Sequence, residues 1–210
     1  LDPESADLLR GQSMAAVNKK DPSKKRTLIM GEEFVKIASR YCLKVDGFGA
    51  GVFEPIQLAV KTRGGPERGL ASTQARSEDD PESMTLHADV KDCYPSLDRG
   101  KSITALHTFP TLSHTWRLSN FCFGSPSPVI VCRDGKVVHT SVSDNGLPQG
   151  HVLSSVLCAA ALDATYTHAG EGDVSAKAIM DDFTVVGRFD AIMESFRRLT
   201  TGLHAIDADV

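Results

Sequence analysis

Paired cysteines, glycosylation acceptors and long apolar runs are all missing, and each absence excludes a class of protein. The 5 cysteines (Cys42, Cys93, Cys122, Cys132, Cys158) form no Cys-x-x-Cys pair and are odd in number, so neither a zinc centre nor a disulfide framework is expected. No Asn-x-Ser/Thr acceptor occurs. Together these omissions point to a reducing compartment, nucleus or cytoplasm. The longest apolar run, Val156 to Leu162, is far shorter than the roughly 20 residues that span a bilayer, so no membrane segment is expected. The chain opens on Leu1 with no charged-then-apolar leader behind it, and it reads as a piece of something longer. No stretch repeats at a fixed period.

Hydrophobic residues at 41% and charged residues at 24% over 210 positions are the composition of a globular chain of one large or two small domains. The excess charge is negative, −4 overall, which argues weakly against a nucleic-acid binder. Its distribution softens that argument. Residues 1–70 hold 12 Lys/Arg against 9 Asp/Glu, and residues 71–210 hold 11 against 18. The tightest basic cluster, Lys19, Lys20, Lys24, Lys25 and Arg26, read alone is a solvated loop. A basic front ahead of an acidic half also suits a protein that holds metal ions under a phosphate.

Hydrophobic spacing predicts a hairpin over Leu9 to Met30, with Met14–Val17 and Thr27–Met30 flanking the turn Asp21-Pro22-Ser23. An amphipathic helix is expected over Glu32 to Val45, with Phe34, Ile37, Ala38, Tyr41, Cys42 and Val45 on its core face. Ser77 to Ser83 reads as a surface loop and Thr85 to Val90 as a short buried strand. Pro128–Cys132 and Lys136–Val142 are strands around the two-residue turn Asp134-Gly135. Val152 to Tyr166 is an apolar helix and Ile192 to Leu203 an amphipathic one. Lys177–Met180 and Phe183–Val186 are apolar stretches divided only by Asp181-Asp182. This irregular alternation, with hairpins, indicates an α+β fold rather than a doubly wound parallel sheet.

Three segments carry chemistry. Asp181-Asp182 is wedged into an apolar hairpin, where two carboxylates repel one another and lose water unless a cation or hydrogen bonds compensate; a solvated turn tip is the bland alternative. Asp89 ends a strand pattern, where a sheet presents a side chain at its rim, although an Asp there also serves as a helix cap. Asn145-Gly146-Leu147-Pro148-Gln149-Gly150 places two glycines around Pro-Gln, a loop whose backbone can approach a ligand closely; an ordinary strand-to-helix turn reads the same way.

In this order the three segments resemble the palm of a reverse transcriptase: Asp89–Asp98 its first motif, Gly146–Leu157 its second, Ile179–Gly187 its third. The resemblance narrows to non-LTR retrotransposons. Lys20-Asp-Pro-Ser-Lys-Lys-Arg26-Thr-Leu-Ile-Met-Gly-Glu32 is similar to the fingers hairpin of that group. Phe53-Glu54-Pro55-Ile56-Gln57-Leu58-Ala59-Val60 through Glu67 is similar to the block between fingers and palm. Trp116 through Pro128, with the Asp134-Gly135 hairpin, fits the stretch before the second motif.

The resemblance implies a right-hand polymerase fold, with fingers and their connection over residues 1–84 and palm over 85–210. The palm would be an antiparallel sheet backed by helices, with the thumb absent. It implies RNA-templated DNA synthesis within a retrotransposon polyprotein, with an RNA template, a DNA primer and dNTPs as partners. Two Mg²⁺ ions, with Mn²⁺ able to stand in, would be held by Asp89, Asp181, Asp182 and the Val90 carbonyl. Tyr94 would exclude a 2′-hydroxyl, Lys20 and Arg26 would touch the triphosphate, and Gln149 and Gly150 would lie against the template and nascent pair. The sequence departs from the family pattern at Thr27, at His151-Val152, where an Asp-Pro usually follows Gly150, and at Ile179, where an aromatic is usual. A silent reverse-transcriptase-like module that binds RNA or protein, and an RNA-templated RNA polymerase, remain alternatives.

Overall fold

The computed structural model describes residues 2–18, 25–44, 51–134 and 136–210. The chain begins with α1 (Pro3–Arg10). Its start is fixed locally: Asp2 caps it by accepting the Ser5 backbone N–H at 2.9 Å, and Pro3 supplies a helical φ where no donor is needed. Strands β1 (Gln12–Asn18) and β2 (Lys25–Gly31) follow as an antiparallel pair in register from Gln12↔Gly31 to Asn18↔Lys25. The expected hairpin is therefore present but starts after Leu9, which belongs to α1. Its turn, 21–23, lies outside the described residues.

Helix α2 (Glu33–Cys42) is shorter than expected and rotated from the expected face, of which Ala38 and Cys42 are half-buried and Val45 lies outside the described residues. Val35 and Ser39 are buried, whereas Phe34, Ile37 and Tyr41 are 76%, 61% and 70% exposed. The helical period is legible, but the apolar stripe is not the one that meets α1 and the later helix at Ser113–Phe123. Helix α3 (Gly65–Asp79) has no counterpart in the sequence expectations. Its polar residues give no apolar stripe, and it docks through the buried Gly65 and Gly69; a Cβ on Gly65 would stand 1.9 Å from the Leu58 carbonyl oxygen. Ser77–Asp79, expected as loop, form its last turn.

The remaining elements are β3 (Met84–Asp89), α4 (Cys93–Ser96), α5 (Arg99–Leu106), a 3-10 turn at Pro110–Leu112, α6 (Ser113–Phe123), β4 (Ser127–Arg133), β5 (Lys136–Ser143), α7 (Ser154–Ala169), β6 (Val174–Ile179), β7 (Asp182–Gly187) and α8 (Phe189–Ala205). They form two sheets, ordered β2-β1-β4-β5 and β3-β7-β6. In the first, β1 runs parallel to β4 while the hairpin pairs are antiparallel. The second is antiparallel throughout. Strand β3 is an edge strand and not the buried strand expected: Leu86 and Ala88 are half-buried, and Thr85 and His87 are exposed.

The core is built around α7. Residues Val156 to Leu162 are all buried, as expected of a helix apolar on every side, and α4, α5, α8 and β6 pack around it. Phe183 and Val185 of β7 join the same cluster. The three-stranded sheet thus rests its inner face on the core and leaves its strand ends at the surface. Among the described residues no helix is long and apolar enough to cross a membrane.

Candidate active site

The backbones of the three acidic residues singled out from the sequence converge at one end of the three-stranded sheet. The β3–β7 ladder closes on the pair Asp89↔Asp182. Residues directly opposite in such a ladder have Cα atoms about 4.5–5.5 Å apart and project to the same face. One residue further on, the Val90 N–H donates to the Asp181 carbonyl at 3.1 Å. Segments 92 positions apart are thereby brought together. Asp89 and Asp182 are exposed, and Asp181 is half-buried.

Asp181 stands in a two-residue turn. Ile179 pairs with Asp182, so Met180 and Asp181 alone connect β6 to β7. Met180 has φ 58°, a left-handed conformation that a long side chain adopts at a cost of about 1–3 kcal/mol and that collects at functional sites. Tyr166, buried on α7, donates its hydroxyl to the Met180 carbonyl at 3.0 Å. Burial first, then nearby thiols and the Asp181 and Asp182 charges, push the Tyr166 pKa far above its ordinary value, so the hydroxyl remains a donor.

The donor set suits a hard cation, since carboxylates and the Val90 carbonyl present only oxygen. Among the described residues, no three His, Cys, Asp or Glu side chains are grouped closely enough to cage a metal ion. That arrangement is compatible with Mg²⁺, which is usually bound through one or two carboxylates plus substrate phosphates rather than by an all-protein cage.

Tyr94 lies on α4, half-buried. Its hydroxyl reaches Ser155 Oγ on α7 at 3.4 Å, and its carbonyl accepts the Leu147 N–H at 2.6 Å. It therefore ties the first segment to the second. Burial raises its pKa to about 12, with a smaller push from the Asp181 charge.

The Asn145–Gly150 loop is held from beneath. Arg99, only 4% exposed, donates Nε to the Gly146 carbonyl at 2.7 Å and Nη1 to the Ser143 carbonyl at 2.8 Å, and Nη2 reaches Ser143 Oγ. Gly146 has φ 69°, and a Cβ there would stand 2.5 Å from the Pro95 carbonyl oxygen. This first glycine thus serves contact with the protein's own backbone, not the ligand approach expected of it. Gly150, at φ 103°, is exposed, and Gln149 is half-buried.

His151 takes the place where the family pattern has Asp. Its ring is buried, packs edge-on to Phe123 at 4.8 Å, and accepts the Leu153 N–H on Nδ1 at 3.2 Å. Ser154 Oγ donates back to the Pro148 carbonyl at 2.9 Å. The loop-to-helix junction is closed by these bonds, and α7 begins at Ser154 rather than Val152. Burial, with a smaller contribution from the Lys36 charge, lowers the His151 pKa to about 4, so the ring is neutral at pH 7. The neutral ring then carries its proton on Nε2.

Lys20 lies outside the described residues. Arg26 is placed by its backbone alone, in β2 opposite Val17. The base of that hairpin does reach the loop: a Cβ on Gly31 would stand 3.8 Å from the His151 ring. Sequence reasoning missed three residues that shape the site, Gln57, Arg99 and Tyr166. The available signal was a Gln inside the run Pro55-Ile56-Gln57-Leu58-Ala59-Val60, since polar residues in apolar runs are buried only with partners.

No known family profile matches the sequence, and no curated protein matches it. Solved structures do match by shape. One is telomerase from Candida albicans in complex with a TWJ fragment of telomeric RNA, with TM-score 0.62 and 12% identity, covering 96% of this chain and 41% of that one. Another is apo telomerase from Candida tropicalis truncated from its C-terminal domain, with TM-score 0.57 and 11% identity, covering 93% of this chain and 46% of that one. The chain spans less than half the length of either. At such identity the likeness is one of fold: along nearly its whole course the chain has a mixed α/β fold similar to that of these telomerase structures.

Proposed function

We propose that this chain is the nucleotidyl-transfer part of an RNA-directed DNA polymerase of the non-LTR retrotransposon kind, with fingers and connection over 1–84 and palm over 85–210. The observation that carries the reading is the closing pair of the β3–β7 ladder, Asp89 opposite Asp182, with Asp181 beside it in the turn. The motif order and the telomerase-like fold support it.

In this reading Asp89, Asp181, Asp182 and the Val90 carbonyl hold two Mg²⁺ ions. Bound there, the ions supply positive charge to the phosphates and make the primer 3′-hydroxyl a better nucleophile. The chain's own residues do the rest. Tyr94, stiffened by its bonds to Ser155 and Leu147, closes the sugar pocket against a 2′-hydroxyl. Gln149 and Gly150 lie against the template and the new base pair, and Arg99 fixes the height of their loop. Lys20 and Arg26 meet the incoming triphosphate; the planar guanidinium fork suits phosphate. The partners are an RNA template, a DNA primer and dNTPs, in the nucleus or cytoplasm.

The test is primer extension on an RNA template with dNTPs or NTPs, with and without Mg²⁺, comparing wild type with Asp181→Asn. The variant should lose at least about 100-fold in rate, since electrostatic stabilisation at a transition state is typically worth 10²–10³, while keeping its circular dichroism spectrum. Undiminished extension by Asp181→Asn would place the activity elsewhere. RNA binding with no extension by wild type would favour the silent module.

A further inference from the structure

Gln57 is 1% exposed and sits in an apolar run, yet every polar atom of its side chain is used. Nε2 donates to the Met180 carbonyl at 3.0 Å. Oε1 accepts the Met180 N–H at 2.9 Å and the Ala59 N–H at 3.0 Å. A single side-chain amide thus satisfies both backbone groups of one residue 123 positions away. That residue is the left-handed one in the β6–β7 turn, at φ 58°. Its flanking segment is fixed to β6 as well: the Leu58 N–H donates to the Ala178 carbonyl and the Ala178 N–H to the Ile56 carbonyl, both at 2.8 Å.

The turn needs such a partner. A two-residue hairpin turn with φ positive at its first central position ordinarily has Gly there. Met180 is disfavoured in that conformation, and its N–H and C=O, lying between the last ladder pair, have no partner strand. Without Gln57 the turn would lose both of these hydrogen bonds, and of the side-chain contacts on the Met180 backbone only the Tyr166 hydroxyl on its carbonyl would stay. Asp181 is the next residue, and its carboxylate direction follows from the Met180 backbone.

We infer that Gln57 is a positioning residue: it holds Met180 left-handed and thereby aims Asp181. The inference rests on the reading of Asp181 as a catalytic carboxylate. A glutamine that merely filled the core would be coupled to the turn only through packing. One that restrains φ becomes dispensable when residue 180 adopts positive φ freely, as Gly does.

The experiment compares Gln57→Leu, Met180→Gly and the double variant in the full protein, reading kcat and KM for dNTP separately. Gln57→Leu should lower kcat by about 100-fold, the typical cost of misplacing a reacting group by about 1 Å, with KM little changed. In the Met180→Gly background the same substitution should cost less than about tenfold, because Gly removes the strain that Gln57 restrains. An equal loss in both backgrounds would overturn the inference. Gln57→Glu keeps the shape and covers a Gln57→Leu that fails to fold. Only its protonated form both donates to the Met180 carbonyl and accepts the N–H, so its activity relative to wild type should rise on acidification; a flat ratio would overturn the inference. Amide exchange separates this question from the catalytic one. If wild type is inactive or Asp181→Asn stays active, the catalytic reading fails and the aiming of a catalytic group falls with it. The hold on the turn is then decided alone: selective loss of Met180 N–H protection in Gln57→Leu, with the Val185 amide unchanged, supports it, and unchanged protection refutes it.

Discussion

Acidification from pH 7 to pH 4 should cost the fold about 3 kcal/mol through His151 alone, because burial takes its pKa from 6.5 down to about 4 and each unit is worth about 1.36 kcal/mol. The folded pKa lies below the unfolded one. The contribution is therefore complete above about pH 6.5 and is lost as pH falls through about 4. Physically, the unfolded chain takes up a proton that the buried ring, already accepting the Leu153 N–H on Nδ1, refuses. Other groups titrate nearby. Asp163, half-exposed on α7, has its pKa raised by burial to about 6. It acts in the opposite sense over its own window, weakened by solvent screening. Comparing wild type with His151→Asn removes that confusion, because Asp163 is present in both and distant sites add. Asn keeps an oxygen acceptor for Leu153 but does not titrate. Urea unfolding at pH 7, 6, 5 and 4 should show the wild-type advantage over the variant shrinking by about 3 kcal/mol, most steeply below pH 6.5. A pH-independent difference would show that His151 is not held neutral. The same titration reaches the proposed template contact, since His151 adjoins Gly150. Primer extension by wild type should then decline faster on the acid side than extension by His151→Asn.

Two further outcomes follow from contacts around the loop. Tyr94→Ala should lower the ratio of dNTP to NTP use by roughly ten- to a hundredfold, as overpacking a filled pocket costs about 1–3 kcal/mol; Tyr94→Phe should leave it unchanged, and an unchanged ratio in a folded, active Tyr94→Ala protein removes the ring from the sugar site. Arg99→Met should destabilise the chain by about 2–4 kcal/mol, because it strands two carbonyls and a hydroxyl that the guanidinium now satisfies; a shift in the urea midpoint worth under about 0.5 kcal/mol would show that water replaces it.

Much of the second half of the chain was legible. The strands flanking Asp134-Gly135, whose Gly135 lies outside the described residues, the apolar run of α7 and the two stretches around Asp181-Asp182 each carry a local signal, and each produced its element within a few residues. The first half was harder, for reasons that differ from element to element. Helix α3 has no apolar stripe because a glycine, Gly65, and not a large side chain, makes its closest contact. In α2 the period was visible but its phase was not. Phe34, Ile37 and Tyr41 are more hydrophobic than Val35 and Ser39, yet the latter pair faces the neighbouring helices. Hydrophobicity measures what a residue would gain by burial, whereas burial depends on where the next element lies.

The candidate site divides along the same line. Asp181 and Asp182 could be singled out because two charges inside an apolar run stand out by residue type, and Asp89 because it ends a strand pattern, although Asp89 and Asp182 are exposed in the fold. Gln57, Arg99 and Tyr166 could not, because their partners are backbone groups: the Met180 N–H and carbonyl, and the carbonyls of Gly146 and Ser143. Every residue except proline carries the same N–H and C=O, so no pattern of side chains marks those partners in advance. Nor does strain announce itself, since Met180 is an ordinary residue until the two-residue connection between Ile179 and Asp182 forces its φ positive. A group that meets substrate is constrained in its chemistry and leaves a trace in residue type. A group that holds the backbone in place is constrained only in its reach, and that becomes visible when the chain has folded around it.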